Sequence, residues 1–482
     1  MRDRGLRYWL ASYVYGVLKR VMSGNGRVRP RHVMFLICDH YEPRHNIVRE
    51  HQDAERVDTW VREYPRFYRR CADAFGKGPR HSWFYPPHHG LVHLGPLSGL
   101  AFDGYGEVEL HFHHDGDTSA TLKVELSDTI AAYNRRGLLL AKGETPMPCF
   151  SFIHGDWALD NSAGGKYCGV DDELTILREL GCWGDFTMPS ANECQTRKIN
   201  AIYYAVDNPG KPKSHDSGID LRVGGQPPED GFFLMQGPLG VNWFASPLPK
   251  IENANLTINN RGREDRVKFW LQCGIHVQGR PEWVFVKLHA HGAIERDFDA
   301  LFGDAAFEMH RLLNEHCGQN GSELHYVTAR EAYNICKAAE AGCDGNPDEY
   351  RDFVLSPYVN TIYHLAGEHV LACCTDERLH IKDIADGAGA LRARGFAVEE
   401  ISGDGVCEVD LRRDVCELEW AGGRDGEPLK IVMSPGHDVL RVSGAEVVAD
   451  THVNSRRELA IKPGAGRVRL ATRDSRREQG QR

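Results

Sequence analysis

With 482 residues, 41% hydrophobic and 26% charged, the chain has the composition of a soluble globular protein and length for two to four domains of about 100–200 residues each. Its formal charge of −10 excludes the basic surface that a nucleic-acid partner requires. The 14 cysteines fall at irregular spacings with no Cys-x-x-Cys pair, and no cleavable leader is visible. That pattern predicts buried, reduced thiols in a cytoplasmic protein and argues against a zinc site built from cysteine alone.

Arg2, Arg4 and Arg7 surround the start of a mostly apolar stretch, Leu6 to Leu18, which Lys19 and Arg20 close. The stretch is shorter than the ~20 residues a spanning helix needs. Residues 1–30 therefore read as an N-terminal basic and apolar helix. It either docks on the protein or lies on a membrane surface through residues 1–22, with Trp9, Tyr13 and Tyr15 at the interface. Next, the apolar run Val33 to Cys38 reads as a fully buried strand, and "HQDAERVDTWVREYPRFYRRCADAF" as a helix. "HSWFYP" is a short strand, and its Trp83 and Phe84 are either core or a surface for sugar rings. "GEVELHF" is a strand and "SDTIAAYNRRGLLLAKG" a helix. "PCFSFI" and "DDELTILRELG" repeat the alternation, and "EWVFVKLHAHG", "GDAAFEMHRLLNEHCG" and "SELHYV" carry it to the helix "TAREAYNICKAAEAG".

Strands alternating with helices predict a parallel sheet with crossover helices, and seven to nine strands between His32 and Ala341 favour a closed or nearly closed barrel. The expected domains are the barrel over 31–342, a Gly- and Pro-containing linker over 343–358, a small β-rich domain over 359–470 and a disordered tail over 471–482.

In such a barrel the chemistry gathers where strands end. Asp39 and His40 follow the first strand. His113, His114 and Asp115 follow the third, with His111 inside it. His154, Asp156 and Trp157 follow "PCFSFI", Asp185 follows "GCWG", and His289 and His291 end "WVFVKL". Five strands that end on imidazoles and carboxylates predict a divalent metal, zinc foremost. His111 and His113, two residues apart, point to one face of a strand and can share it.

The order of these motifs resembles the polysaccharide deacetylases of carbohydrate esterase family four, within the glycoside hydrolase/deacetylase barrel superfamily; the resemblance spans roughly residues 33–335. It implies a distorted (β/α)7 barrel with a single divalent metal. "FLICDHYEP" stands where the family has two aspartates, the first a catalytic base and the second a metal ligand, so Asp39 matches the base and His40 replaces the ligand. "LHFHHD" stands where the family has His-x-x-x-His, giving His111 with Asp115 four residues on and His113 as a further ligand. "FIHGDWALDNS" lacks the arginine of the family's third motif. "GCWGDFTMPS" offers Asp185 for the fourth. "VKLHAHG" matches the fifth and gives His289 as the general acid. The implied metal ligands are thus His40, His111, His113 and Asp115, and His154, Asp156, Trp157, Asp185 and His291 are left to contact the substrate.

The implied activity is metal-dependent removal of acyl groups, N-acetyl foremost, from a carbohydrate in surface-polysaccharide metabolism. Two alternatives stay open. One is a glycoside hydrolase of the same superfamily using two of Asp39, Asp156 and Asp185. The other is an inactive glycan-binding protein, since a fold alone fixes no function.

Overall fold

The computed structural model describes residues 5–22, 30–134, 138–141 and 147–358, then 362–363, 371–374, 378–382, 389–392, 397–403, 406–412, 415–420, 428–434, 437–453, 456–464 and 466–474. The chain divides into two compact units. The first comprises 1–128 and 149–355, the second 129–148 and 356–482.

The first unit is built on a curved, mostly parallel sheet. Its strands are β1 (His32–His40), β2 (His81–Tyr85), β3 (Gly106–Phe112), β4 (Phe150–His154), β5 (Cys182–Asp185), β6 (Ile202–Val206), β7 (Gly231–Met235), β8 (Asn255–Leu256), β9 (Trp283–Ala290) and β10 (Glu323–Tyr326). They lie in the order β8-β9-β1-β2-β3-β4-β5-β7-β6, and only β6 among these runs against its neighbour. β10 and β2 share one edge of β1: β10 pairs with His32 to Phe35, and β2 with Ile37 to His40. Every residue of β1 is buried, as its continuous apolar run requires of a strand covered on both faces.

The sheet closes on itself. Met34, Leu36 and Cys38 of β1, Ile153 of β4, Phe233 and Met235 of β7 and Phe285 of β9 belong to one apolar cluster, so strands far apart in the sheet face a common interior. Among the described residues no strand pairing joins β7 to β8. Lys287 of β9 ties that strand to the segment just past β5, its Nζ donating to the carbonyls of Phe186 and, at 2.6 Å, of Met188. The expected distorted α/β barrel is present.

Helices cover the outside. Val57, Trp60, Tyr64 and Phe67 of α2 (Gln52–Tyr68) lie three or four residues apart and form its buried face. Trp83, Phe84 and Tyr85 of β2 are fully buried, so they are core, and no sugar reaches them. The N-terminal helix, α1 (Leu6–Met22), is docked on the first unit. Trp9 is fully buried, and Tyr13 donates to the Val241 carbonyl at 3.2 Å.

In the second unit, two six-stranded antiparallel sheets enclose one core. Ile401, Ile431 and Ile461 come from one sheet, and Leu411, Leu418 and Leu470 from the other. This is the expected β-rich domain, in sandwich form. Its boundaries differ from the expectation. Residues 129–148, read as part of the barrel, belong here. Leu140–Ala141 pairs with Met147–Pro148, and Ala141 bridges to Tyr358. The linker read over 343–358 is packed structure as far as Leu355, because the Asn334 amide donates to the carbonyls of Arg351 and Leu355. The last strand, Gly466–Asp474, runs into the segment read as a tail, and residues 475–482 lie outside the described residues.

Trp9→Ala should lower stability by about 3–5 kcal/mol if its site cannot collapse, whereas Leu10→Ser, on the exposed side of α1, should change it by less than about 0.5 kcal/mol. Chemical denaturation of both variants checks the pair, and equal effects would mean α1 is not docked as described.

Candidate metal centre

Where β1 ends, the pleat sends Asp39 outwards and His40 inwards. Asp39 is fully buried: His81 Nε2–H donates to one of its oxygens at 2.9 Å and the Gly292 N–H to the other at 2.6 Å. Both oxygens are committed, so the carboxylate ties β1 to β2 and to the turn after β9. His40 turns into the barrel, stacked on His291 at 4.9 Å between ring centroids and 4.8 Å from His111. Its Nε2 has no hydrogen-bond partner among the described residues.

Two residues further on, Glu42 reaches the same place. Arg56 of α2, 2% exposed, holds this loop by donating to the carbonyls of Pro43 and His45 at 2.7 Å each. From β3, His111 and His113 enter on one face. Their Nε2 atoms are 3.0 Å apart, and Glu42 Oε1 stands 3.0 Å from that of His113 and 3.6 Å from that of His111. His111 Nδ1–H donates to the Ile153 carbonyl at 2.8 Å, which fixes the tautomer and leaves its Nε2 lone pair pointing at the group. Two ligands held by zinc at a tetrahedral angle stand about 3.3 Å apart. Glu42, His111 and His113 therefore fit one divalent ion: two imidazoles and a carboxylate, with an open side, are the donor set of catalytic zinc sites.

Of the expected ligands, the structure brings His111 and His113 together and sets His40 beside them. Asp115 stands apart. It is exposed, and its carboxylate accepts from the Tyr167 N–H at 2.6 Å, because the chain turns at Gly116 with φ 70°. Glu42, which supplies the missing carboxylate, was not among the expected residues. Its signal was its spacing, two residues past His40 and hence on the same side.

The expected substrate contacts also divide. Asp156, 48% exposed, places Oδ2 3.3 Å from His113 Nδ1. Trp157 lies over His40, His291 and His289 at 5.6, 6.0 and 6.4 Å between centroids. Both sit in left-handed backbone, φ 52° and 59°. Gly155 before them packs on the His113 ring, which a Cβ would meet at 2.4 Å. His291 Nε2 is 3.7 Å from Glu42 Oε2. Asp185 lies fully buried behind the centre, accepting from the Thr187 N–H and hydroxyl. Burial pushes its carboxyl up to about 7 against the Thr187 hydrogen bonds and, after them, the pull of Lys287. His154 faces away, into a separate buried group. His289 is buried, and burial, then Lys287, His291 and Arg266, hold it well below the usual histidine range. At 2% exposure it is shielded from solvent, with Trp157 6.4 Å away between ring centroids.

No protein-family profile matches this chain, and no curated protein does. Among solved structures it resembles a candidate glycoside hydrolase/deacetylase from Parabacteroides distasonis at 9% identity over 84% of both chains, TM-score 0.33. It also resembles a bacterial fucosidase at 11% identity over 93% of this chain and 95% of that one, TM-score 0.26. At such scores neither bears on the chemistry, which rests on the geometry above.

Burial alone would depress His113, yet its hydrogen bonds to Asp156 and Glu42 raise it to about 9. A raised folded-state value means that, without metal, the His113 charge stabilises the fold fully below about 6.5 and ceases to do so as pH climbs through 9. A metal must displace that proton. Apparent metal affinity of the stripped protein should therefore rise with pH up to about 9, one proton leaving His113 per ion bound, and Asp156→Asn should flatten the rise. Calorimetric titration in buffers of different ionisation enthalpy reads the proton count. A pH-independent affinity would show that His113 is not a ligand.

Proposed function

We propose that this protein is a metal-dependent hydrolase that removes acyl groups, N-acetyl foremost, from a carbohydrate. The observation that carries the reading is the convergence of Glu42, His111 and His113 on one point at the C-terminal rim of a parallel barrel. The substrate class rests on the order of motifs that resembles the polysaccharide deacetylases. A divalent ion bound there supplies Lewis acidity towards a carbonyl oxygen and lowers the pKa of water.

The chain's own residues do the rest. Asp39 is committed to His81 and Gly292, so it acts as a positioning residue. Asp156 holds His113 at Nδ1, on the ring edge away from the ion, and is the half-exposed carboxylate we assign to take the proton from water. His291, 23% exposed at its side chain, is placed to pass a proton to the leaving amine, and both groups are restored through solvent. Trp157 packs against His40 and His289 at the barrel mouth. The glycoside hydrolase alternative needs two available carboxylates. Asp39 and Asp185 are both buried with their oxygens engaged, which favours the hydrolysis of an acyl group.

Acetate release from N-acetylated oligosaccharides tests this. Asp156→Asn should lower turnover by roughly 10²–10⁴ when measured at saturating metal. His111→Ala should lose both the ion and the activity. Sugar fragments released without acetate, or full activity in His111→Ala, would sink the proposal; a glycan bound without turnover would leave the binding-protein alternative.

We propose further that the outer face of α1 rests on an anionic membrane surface. Leu10, Val14, Tyr15 and Leu18 are 42–68% exposed along it, and the sequence places arginine and lysine at both ends of the stretch. No helix among the described residues is long and apolar enough to cross a membrane. Co-sedimentation with phosphatidylserine vesicles should fall severalfold in a Leu10→Glu, Val14→Glu double variant. Unchanged sedimentation would remove the membrane from the picture.

A further inference from the structure

A second group of metal-type ligands is sealed behind the wall that carries His111 and His113. Side chains alternate past the end of β3, so His114 leaves on the opposite face from His113. His154 is paired beside Phe112 in the β3–β4 ladder and leaves on that same outer face. Cys168 comes from the loop after β4, and Glu173 opens the helix α3 (Glu173–Glu179). His114 is 8% exposed and the other three are fully buried.

The Nε2 atoms of His114 and His154 are 2.9 Å apart, and Glu173 Oε1 stands 3.3 and 3.4 Å from them. The far side of each ring is already engaged. His154 Nδ1–H donates to the Gly155 carbonyl at 2.5 Å, and His114 Nδ1–H to Asp117 Oδ2 at 3.0 Å. Neutral rings so anchored present two lone pairs to each other, an arrangement that needs a positive charge between them. Cys168 Sγ lies 3.7 Å from Glu173 Oε2, and all four ligand atoms lie within 4.8 Å of one another. Ligands of a tetrahedral zinc stand about 3.3–3.8 Å apart, so a small inward movement completes the shell. A thiolate and a carboxylate cancel the two charges of the ion, and the imidazoles are neutral, so no net charge is left in a dry interior.

We propose that His114, His154, Cys168 and Glu173 bind a structural zinc ion, separate from the centre at Glu42, His111 and His113. Binding forms the Zn–S bond and sends the thiol proton to solvent, with no change of oxidation state. The ion has a mechanical task. Asp156, Trp157, Asp160, Asn161 and Tyr167 all take left-handed backbone, φ between 52° and 60°, in one loop. Such a run persists only where its surroundings over-determine it. His154 and Cys168 bracket the loop, and the Asp160 N–H donates to Glu173 at 2.6 Å within it. The zinc thus clamps the segment that presents Asp156 and Trp157 to the first centre.

Elemental analysis of the full-length protein should find two zinc ions per chain. Cys168→Ser and His111→Ala should each lose one of them, and X-ray absorption on the His111→Ala protein should show one sulfur and three nitrogen or oxygen ligands around the ion that remains. Wild-type zinc content in Cys168→Ser, or a remaining ion without sulfur, overturns the proposal. If Cys168→Ser does not fold, the absorption spectrum of His111→Ala decides alone. A single ion that His111→Ala abolishes also overturns it, leaving a proton shared between His114 and His154. A single sulfur-ligated ion that survives His111→Ala supports this site and removes the first one, so the two readings fail separately.

Discussion

The Asp39 carboxylate lies out of contact with water, and its two oxygens accept from a ring nitrogen on β2 and a backbone amide just past β9. A buried carboxylate is tolerable only when both oxygens are satisfied, so this residue fixes three pieces of chain at once. Gly292 shows how tight the join is, since a Cβ there would fall 1.9 Å from an Asp39 oxygen. Once Asp39 is committed to the outer face of β1, the pleat commits His40 to the inner face, and Glu42 follows on that side. The turn at Gly292 sets His291 opposite. The mouth of the barrel is organised from the back, by a residue sealed from solvent.

The same alternation acts at β3 and β4. His111 and His113 go inwards, and His114 goes outwards. His154 goes outwards, and the two residues after Gly155 swing back to the mouth. Adjacent residues in the sequence thus enter two separate clusters of imidazoles and carboxylates on opposite sides of one layer of backbone.

Much of this was legible in the sequence. The buried run of β1, the His111/His113 spacing and the alternation of strands with helices predicted the barrel and two of the three side chains that converge at its mouth. Two things hid the rest. The period of two can be read inside a strand, but it becomes uncertain past the strand's end. Glu42 keeps the alternation and was overlooked, whereas Asp115 is turned away at Gly116. Facing is also invisible without register: His154 looks like a mouth residue until Phe112 is seen beside it. The misplaced boundary at 129–148 has another cause. A short ribbon whose partner lies far along the chain carries no local sign of that partner.

That ribbon bears on how the protein is made. Residues 140–148 leave the ribosome before most of the barrel, yet Tyr358, which Ala141 meets, is synthesised roughly two hundred residues later. At about 5–20 residues per second the delay is about 10–40 s. The barrel strands β4 to β10 emerge during that interval, and the ribbon, paired only with itself, must wait for Tyr358. Its brevity suits that wait: two residues on each side offer a nascent β-strand little to capture.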